Sequence, residues 1–570
     1  MKRLWLGFAL ALSATYVCAQ ETSTLHVGLW TLWHDREVTV HAVQVGAASV
    51  RMCEGCGSIS LIQEMKLRAD GNVVVFDGKH AADILLNGAL ALEAHGERVS
   101  LPYPVRVTAH DSALTMTVTM PVERYVERVV ASESGVGDSV DSLKALAVVV
   151  RSFALHARHG HTEYDLCDAT HCQLLHWGAT GREAAAHDAT LKTAGETLWF
   201  HGHKSAAWFH QNCGGHTAAP AQVWGMKGNV APWLVGRADP YCTAHGVRQW
   251  STMLKLAELT RALADGGLVA PGWKTLTVAK RNEPGRAMTL MAGGTAVTAE
   301  DFRLAVGRTL GWNRIPSAWF EVTQSGDGFL FHGRGLGHGV GLCQAGAAAM
   351  AAQGLNAEAI LAQYFPGAEV RDEASGAKWE SFMRAGYKLE TLEDADQAYL
   401  PELDRALAEA RSRSGMEQTG AITVRAFRST PEFRASTLAS GWVAAFTEGN
   451  WIGVQPLKTL AVRKMLEPVI RHEMLHALVE SAAGVKPPLW LREGLVEAWS
   501  EDERPAAAPN MRVENVDRKL EHPANEAESE AAHAAARWYA EKLLTGYGRA
   551  QVIQWLRNGV PGHALASLQH

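Results

Sequence analysis

Residues 122–155 read VERYVERVVASESGVGDSVDSLKALAVVVRSFAL, and this stretch indicates how the amino-terminal half of the chain folds. Apolar residues recur at intervals of three and four on both sides of a glycine-containing break, which is the spacing of amphipathic helices. The pattern predicts a short helix that ends near Glu133 and a longer helix that Asp138 or Ser139 caps and Gly160 ends. A glutamate therefore stands at the end of an apolar helix.

The segments around this stretch differ in pattern. Residues 25–120 alternate apolar and polar positions in short runs such as EVTVHAV and ALTMTVTM, which predicts strands, and the rest of the first module is expected over 121–375. A charged stretch predicts a linker over 376–394. Residues 395–570 alternate predicted helices with a strand and a hairpin, so we expect a multidomain α+β protein with a β-rich first module and a mixed α/β second domain.

The amino terminus predicts export. A basic start, MKR, precedes the apolar run LWLGFALALSATYV, and small residues follow, so residues 1–19 are predicted to be a signal peptide cut after Ala19. Cys18 offers a lipoprotein anchor as the alternative, but the residues before it favour soluble export. No later stretch is long and apolar enough to span a bilayer. The net charge of −6 excludes a strongly basic nucleic-acid binder.

Export places the cysteines in an oxidising compartment, where disulfides persist. Once Cys18 is removed, an odd number of cysteines remains, so at least one is unpaired or bound to a metal. Cys53 and Cys56, in CEGC, lack a second cysteine pair nearby and are predicted to form a local disulfide. Cys213 and Cys242 are predicted to form a structural disulfide.

Residues 467–500 read EPVIRHEMLHALVESAAGVKPPLWLREGLVEAWS and predict a zinc site. His472 and His476 lie one helical turn apart and project from one face, as two zinc ligands on a helix do. Glu493, on the next helix, is the expected third ligand, and Glu473 is placed to activate a water molecule at the metal. The alternative is an accidental helix with two surface histidines.

The same stretch resembles the gluzincin metallopeptidases of the group called peptidase MA-like, and the resemblance extends over about residues 395–555. The group's W-L-x-E-G motif is matched by Trp490, Leu491, Glu493 and Gly494. The resemblance implies a zincin-like domain with zinc metallopeptidase activity. A fold that is retained without peptidase activity stays open as the alternative.

Residues 122–155 resemble the core of the sporulation stage II protein D family (SpoIID/LytB), whose members are also called amidase enhancers. Further matches are YDLCDATHCQ, FHQNCGGHTAAPAQVWG, DPYC and GRGLGHGVGLCQAGA, which together extend over about residues 25–370. The resemblance implies a lytic transglycosylase that cleaves peptidoglycan glycan strands from which the stem peptides have been removed. The family's catalytic glutamate falls on Glu133.

That role is chemically sensible for a glutamate that a cleft removes from water. Desolvation raises the pKa of such a carboxyl, so it can protonate the glycosidic oxygen near neutral pH. The same group, now a base, can take the proton of the sugar's own 6-hydroxyl, which leaves a 1,6-anhydro end. A second carboxylate is not needed to deliver water. We expect Glu133 to perform both steps.

The resemblance also suggests residues that bind the glycan. Lys144 and Arg151 match the family's lysine and arginine and lie seven apart on the second helix, so they could orient sugar hydroxyls along a groove. Two solvated cations are the alternative. His338 and Gln344, in the glycine-rich GRGLGHGVGLCQ, are further groove candidates, although tight packing alone would also explain the glycines.

The motif CDATHCQ could bind a second zinc ion through Cys167, Cys172 and His171, as metal-bearing members of the family suggest. A disulfide between Cys167 and Cys172 is the alternative. The chain also departs from the family pattern, because ESG replaces EMP after Glu133 and Cys343 replaces a common serine. The first departure leaves reduced or altered activity possible.

The sequence thus predicts an exported cell-wall protein that joins a glycan-strand lyase to a zinc peptidase, with peptidoglycan as the partner. Peptidoglycan contains both glycosidic and peptide bonds, so the two activities would act on one polymer. The alternative is a non-catalytic amidase enhancer that binds glycan and positions a separate cell-wall amidase.

Overall fold

A computed structural model of the chain describes residues 24–568 except 45–47, 54, 62–63, 136–137, 158–159, 226–230, 232, 440–442, 485–486, 501–507 and 524. The predicted signal peptide lies outside the described residues. In the part of the chain that is described, no helix combines the length and the apolar character needed to cross a membrane.

The first module begins with strands, as the alternating pattern predicted, and they form two largely antiparallel sheets. Val38 and Val40 are fully buried while Thr39 between them is partly exposed, so the strand has one face on the core. The strands are β1 (Thr24–Leu29), β2 (Glu37–Ala42), β3 (Ala48–Arg51), β4 (Ile59–Ser60), β5 (Met65–Asp70), β6 (Val73–Phe76), β7 (Lys79–Ala81), β8 (Asp83–Gly88), β9 (Leu90–Ala94), β10 (Glu97–Leu101), β11 (Val105–His110), β12 (Ala113–Pro121) and, from farther along the chain, β13 (Leu166–Cys167). One sheet has the order β13-β1-β12-β11-β8-β3-β4 and another β10-β9-β2-β5-β6-β7.

Both helices predicted from residues 122–155 are present and share one apolar core with these sheets. At the start of the second helix the Ser142 hydroxyl accepts a hydrogen bond from the Ser139 amide at 3.0 Å. The elements of this segment are α1 (Val122–Glu133), α2 (Val140–His156), α3 (Glu183–Lys192), β14 (Glu196–Phe200), β15 (His203–Lys204), β16 (Phe209–His210), α4 (Pro220–Trp224) and α5 (Pro240–His245).

Residues 249–334 form a unit with its own apolar core. This unit lies within residues 121–375 of the first module. Its elements are β17 (Gln249–Lys255), α6 (Leu256–Asp265), β18 (Leu276–Arg281), β19 (Ala287–Ala292), β20 (Thr295–Thr298), α7 (Ala299–Leu310), β21 (Phe320–Ser325) and β22 (Gly328–Arg334). The chain then returns to the first core through β23 (Leu342–Cys343), α8 (Gln344–Ala352), α9 (Ala357–Tyr364) and β24 (Ala368–Asp372). In the return, β23 pairs in parallel with β16, and β24 pairs with β14.

The second domain packs helices against a mixed sheet of order β25-β26-β27-β29-β28. Its elements are β25 (Glu380–Met383), β26 (Tyr387–Thr391), α10 (Leu400–Ser414), β27 (Ile422–Ala426), α11 (Thr430–Thr437), β28 (Ala445–Glu448), β29 (Trp451–Val454), α12 (Leu457–Val462), α13 (Leu466–Ala482), α14 (Leu489–Ser500), α15 (Val513–Glu521), α16 (Glu526–Tyr547), α17 (Arg549–Asn558) and α18 (Gly562–Ala566). The stretch expected as a linker, 376–394, thus carries two strands of this sheet. It does so because Tyr387 and Leu389 are buried in the core, with the half-buried Lys388 between them.

The two domains share a buried contact. Arg425, on β27, is 1% exposed, and its guanidinium donates to Glu196 Oε1 at 2.7 Å and to the Lys192 main-chain oxygen at 2.8 Å. The same guanidinium lies 3.6 Å from the ring centre of Trp379. Leu191 packs beside this contact in an apolar cluster with aromatic residues of the second domain. An arginine of the second domain therefore neutralises a carboxylate of the first.

Replacing Arg425 should destabilise the joined structure. Arg425→Ala leaves the Glu196 carboxylate in a largely buried place without its cation, and removal of one partner of a buried pair costs about 3 kcal/mol. We expect the urea midpoint to fall and proteases to separate the two domains more readily. The matched control is Arg428→Ala, because Arg428 is 52% exposed in a pair with Glu393, and such a pair contributes less than about 1 kcal/mol. Equal effects of the two substitutions would contradict the assignment.

Candidate functional site

Glu133 is the last residue of α1, and the packing of that helix determines where its carboxyl lies. Val126, Val129 and Val130 are fully buried on the helix, and the chain turns into an extended conformation at Ser134. The helix end is therefore held against the core, with Glu133 half-buried at its last position.

Two contacts hold Glu133 from outside its helix. The Leu174 amide donates a hydrogen bond to Glu133 Oε1 at 3.2 Å, and the Gln344 side-chain amide donates to the Glu133 main-chain oxygen at 3.0 Å. One contact thus orients the carboxyl and the other satisfies a carbonyl at the end of the helix. Gln344 therefore lies beside Glu133 and contacts its main chain.

The electrostatic surroundings of Glu133 favour a proton on its carboxyl. Burial raises its pKa to about 7, and the hydrogen bond from Leu174 lowers it only in part. Among the described residues, no cationic side chain forms an ion pair with this carboxyl. A carboxyl that is half protonated near neutral pH can act both as a general acid and as a general base.

Lys144 and Arg151 do not lie together along a groove. Lys144 is 27% exposed, with its Nζ 3.7 Å from Asp141 Oδ1. Arg151 is 1% exposed, and its guanidinium donates to the two carboxylate oxygens of Glu123 at 2.9 and 2.6 Å. The structure therefore corrects the expected place of Arg151. Its position on α2 faces α1, where the buried Glu123 requires a cation.

His338 lies in a buried aromatic group. Its Nδ1 accepts a hydrogen bond from the Val340 amide at 3.0 Å, and its ring centre lies 5.1 Å from that of Trp224 and 5.6 Å from that of His210. Burial lowers its pKa to about 3. His338 is therefore a neutral imidazole, and its ring also hydrogen-bonds to the main chain of Phe209.

Cys167 and Cys172 are free thiols within a set of four metal-binding side chains. We call His161, Cys167, His171 and Cys172 the cysteine–histidine cluster, since their ligand atoms lie within 4.8 Å of one another. His161 Nε2 lies 3.2 Å from Cys172 Sγ, and His171 Nδ1 lies 3.6 Å from the same sulfur. This donor set fits zinc. His161 was missed in the sequence, although a histidine six residues before CDATHC was the available signal.

Asp168 anchors the loop that carries this cluster. Its carboxylate accepts hydrogen bonds from the Trp30 amide at 2.6 Å, the Thr31 hydroxyl at 2.8 Å and the Trp177 indole at 3.1 Å. The loop is thereby tied to the end of β1. The amide of Leu174, two residues after Cys172, is the one that donates to Glu133, so the cluster and the candidate catalytic carboxyl share a loop.

The other cysteines among the described residues divide into one disulfide and one group of thiols. Cys53 and Cys56 form the predicted local disulfide. The disulfide predicted between Cys213 and Cys242 is not formed, because both are free thiols that share a buried site with Cys343. The sulfur of Cys343 lies against both thiols, and the prediction of a disulfide between two cysteines did not consider a group of three.

In the second domain, His472 and His476 project from one face of α13, with their Nε2 atoms 3.1 Å apart. Glu493 Oε2, from α14, lies 3.6 Å from His476 Nε2. Burial lowers the pKa of both imidazoles to about 3, so both are neutral and available to a metal. Among the described residues, Glu493 forms its ion-pair contacts with His476 and His533 and not with His472.

His533 is a functional candidate that the sequence did not suggest. It lies on α16, and its Nε2 is 3.8 Å from Glu493 Oε2. This helix packs closely against α14, which brings His533 near Glu493 although the two are far apart in the sequence. The stretch ESEAAHAAARWY carries no spacing that links its histidine to HEMLH, and only the packing of α16 reveals it.

Glu473 is buried beside the histidine pair and is held by a strand. Its Oε2 accepts a hydrogen bond from the Thr447 hydroxyl of β28 at 2.6 Å. Burial raises the pKa of Glu473 to about 7. The carboxyl can thus gain or lose a proton near neutral pH, as a general base requires.

The raised pKa of Glu133 makes a prediction for stability. The pKa of Glu133 is about 7 in the folded protein, above the ordinary value of 4.5. The contribution of this group to the stability of the folded state is therefore complete below pH 4.5 and is lost as the pH rises through 7. Glu133→Gln removes this cost and should stabilise the protein by up to about 3 kcal/mol at pH 8 relative to pH 4.5. Urea unfolding at both pH values measures it. The exposed Glu97→Gln is the control. The same pH dependence of stability in both variants would contradict the raised pKa of Glu133.

The comparisons with known proteins match this part of the chain. Residues 110–200 match the family model described as "Stage II sporulation protein" (SpoIID), a range that includes α1, α2 and the cysteine–histidine cluster. An uncharacterized protein of Brachyspira hyodysenteriae is 28% identical over 290 residues, 50% of this chain and 74% of its own length.

Two Bacillus subtilis proteins are also similar. Stage II sporulation protein D is 24% identical over 286 residues, 47% of this chain and 80% of that protein. The amidase enhancer is 22% identical over 291 residues, 42% of this chain and 39% of that protein. The predicted resemblance of the first module is therefore confirmed, and the chain carries a domain of the SpoIID family.

Proposed function

We propose that the chain is a peptidoglycan-remodelling protein whose first module cleaves glycan strands as a lytic transglycosylase. The observation that carries the proposal is the half-buried carboxyl of Glu133 at the end of a helix, whose pKa desolvation raises to about 7 and which, among the described residues, forms no ion pair. The similarity to a stage II sporulation protein D and to an amidase enhancer supports a substrate in the cell wall.

One carboxyl suffices for the proposed reaction. Protonated Glu133 gives its proton to the glycosidic oxygen while the bond from that oxygen to C1 breaks. The sugar's own 6-hydroxyl oxygen then bonds to C1, and its proton returns to Glu133. The products are a new free end and a 1,6-anhydro end. No water is consumed, so a second carboxylate is not required to activate one.

The residues near Glu133 would bind the glycan and position the catalytic helix. Gln344 holds the end of α1 through the Glu133 carbonyl. Lys144 and the neutral His338 remain candidates for contacts with sugar hydroxyls or with the carboxylate of muramic acid. Arg151 is excluded from this set because it is paired with Glu123 in the core.

We also propose that the cysteine–histidine cluster binds zinc. The support is a donor set of two thiols and two imidazoles, with no disulfide between the thiols. Bound zinc would supply a structural crosslink within the loop that Asp168 ties to β1. That loop carries the Leu174 amide, so its rigidity bears on the orientation of the Glu133 carboxyl.

Substitution of Glu133 tests the glycan activity. We expect the full-length protein to produce 1,6-anhydro-muramic ends from denuded glycan strands, and Glu133→Gln to reduce their rate of formation by about 10² to 10⁴, since an amide cannot transfer the proton. Mass spectrometry of the released ends measures this. The exposed Glu97→Gln is the control for folding and should retain activity.

Equal rates for wild type and Glu133→Gln would show that Glu133 is not the acid. Absence of anhydro ends from the wild type, together with faster cleavage by an added cell-wall amidase, would favour the alternative function. In that case the first module is a non-catalytic enhancer, as the name of one relative suggests.

For the second domain we propose a zinc metallopeptidase site. His472, His476 and Glu493 would hold the ion, which would supply a Lewis acid at a peptide carbonyl. Glu473 would take a proton from water and pass it to the leaving amine. The support is the convergence of two neutral imidazoles at 3.1 Å, next to a buried carboxyl bonded to the antiparallel edge strand β28.

Metal analysis tests this second site. Replacing both His472 and His476 by Ala should remove one zinc equivalent per chain, because two of the three proposed ligands are lost. Glu473→Gln should retain that zinc and lose peptidase activity on peptidoglycan stem peptides. His563→Ala is the matched control, since His563 is exposed in the same domain. Full zinc content in the double histidine variant would refute the site.

A further inference from the structure

Four metal-binding side chains meet in the core of the first module, away from the cysteine–histidine cluster. We call Cys213, Asp239, Cys242 and Cys343 the three-cysteine cluster. Each of the four is fully buried, and their ligand atoms lie within 4.8 Å of one another. Three thiols and a carboxylate that meet in such a place form a donor set for a metal ion.

Separate segments bring these residues together. Cys213 follows β16, Cys343 is the last residue of β23, and the parallel pairing of those strands sets His210 opposite Cys343. Asp239 caps α5, which carries Cys242. No two of the cysteines are close in sequence, so their meeting depends on the tertiary fold.

Main-chain amides point at the sulfurs. The Cys213 amide donates to Cys343 Sγ at 3.2 Å, and the Gly215 amide donates to Cys213 Sγ at 3.3 Å. Gly214 and Gly215 have φ values of +77° and +100°, a region that favours glycine and lets the chain fold back over the sulfur. Amide donors around sulfur favour thiolates, which are the form that binds metals.

The carboxylate is oriented by its own partners. Asp239 Oδ1 accepts from the Cys242 amide at 2.9 Å, and Oδ2 accepts from the Tyr364 hydroxyl at 3.0 Å. The same Oδ2 lies 3.3 Å from Cys213 Sγ. Gly346 is required here, since a Cβ on it would lie 2.0 Å from the Tyr364 hydroxyl and 2.6 Å from Asp239. Outer partners of this kind hold metal ligands in place.

A buried cation lies against the cluster. Arg286 is 2% exposed and donates to the Cys213 main-chain oxygen at 3.0 Å. Among the described residues, its Nη1 has no hydrogen-bond partner. Three thiolates and one carboxylate around a divalent ion leave a net negative charge, and this guanidinium partly offsets it.

We propose that Cys213, Cys242, Cys343 and Asp239 bind one zinc ion in a closed, structural site. Three thiols favour a thiophilic metal, and four protein ligands leave no open position for catalysis. Binding releases the thiol protons to solvent and changes no oxidation state. A disulfide between any two of the cysteines would leave the third sulfur buried and unused, whereas a metal engages all of them.

This site would support the end of α1. Cys343 is followed by Gln344, whose side chain donates to the Glu133 carbonyl at 3.0 Å. An ion that holds Cys343 would therefore fix the start of α8 against the helix that carries Glu133. The proposal does not depend on the glycan activity, because zinc content and thiol state are measured without substrate.

The test compares zinc per chain in the full-length exported protein and its variants. We expect Cys242→Ser to contain one zinc equivalent less than wild type, and Cys172→Ser to lose a different equivalent, so that the double variant lacks two. Cys53→Ser is the matched control, because Cys53 forms a disulfide, and it should retain all the zinc. Equal zinc in Cys242→Ser and wild type would overturn the proposal.

Thiol mapping of the wild type decides the question even where a variant fails to fold. Alkylation should modify Cys213, Cys242 and Cys343 as free thiols only after unfolding in the presence of a chelator. Mass spectrometry identifies the modified peptides. A disulfide-linked peptide between any two of these cysteines in the exported protein would overturn the zinc site.

Discussion

The structure depends on the buried pairing of Arg151 with Glu123. This pair joins α2 to α1 through two hydrogen bonds, and the same guanidinium donates to the Glu196 main-chain oxygen at 3.0 Å. The Glu196 side chain in turn accepts from Arg425 of the second domain. Through the main chain and the side chain of Glu196, two buried guanidiniums thus connect the helix that ends at Glu133 to the sheet of the other domain. Because each group is largely buried, the contacts are weakly screened by salt and each depends on its partner.

The catalytic proposal and the two metal proposals for the first module converge on the same carboxyl. Glu133 receives one contact from Leu174, two residues after Cys172, and one from Gln344, next to Cys343. Each contact therefore comes from a segment that carries a set of metal-binding side chains. A carboxyl without an ion pair has few means of orientation, and zinc at the two proposed sites would make the segments on both sides of Glu133 more rigid.

Sequence reasoning succeeded where one local pattern dominates. The helices around Glu133, the strands of residues 25–120 and the helix of His472 and His476 follow from periodicity, because each buries one continuous apolar face. The local disulfide between Cys53 and Cys56 was also predicted, because no second cysteine pair lies nearby in the sequence to complete a zinc site.

Features that depend on tertiary contacts could not be predicted in this way. Arg151 was expected on a groove because its spacing from Lys144 places both residues on one face of the helix. The spacing does not show what that face packs against. Cys213 and Cys242 were expected to pair because nothing in the sequence places Cys343 near them. Cys343 is brought to them by the parallel pairing of β23 with β16. His161 and His533 join their sites through packing, and neither carries a motif.

The joining of the two domains also bears on how the two candidate sites could act on one polymer. His187 of α3 bridges Glu127 of α1 and Glu448 of β28, with 3.0 Å on each side. Glu448 follows Thr447, the residue that holds Glu473.

The two carboxylates raise the pKa of His187 to about 10, so it stays protonated across the neutral range. Glu133 and Glu473 both titrate near 7. A change of pH around neutrality would therefore alter the protonation of both proposed acid–base groups while leaving the bridge between their domains charged and intact. The two centres would then respond to pH together without a change in their relative position, which suits a pair of activities on linked bonds of one substrate.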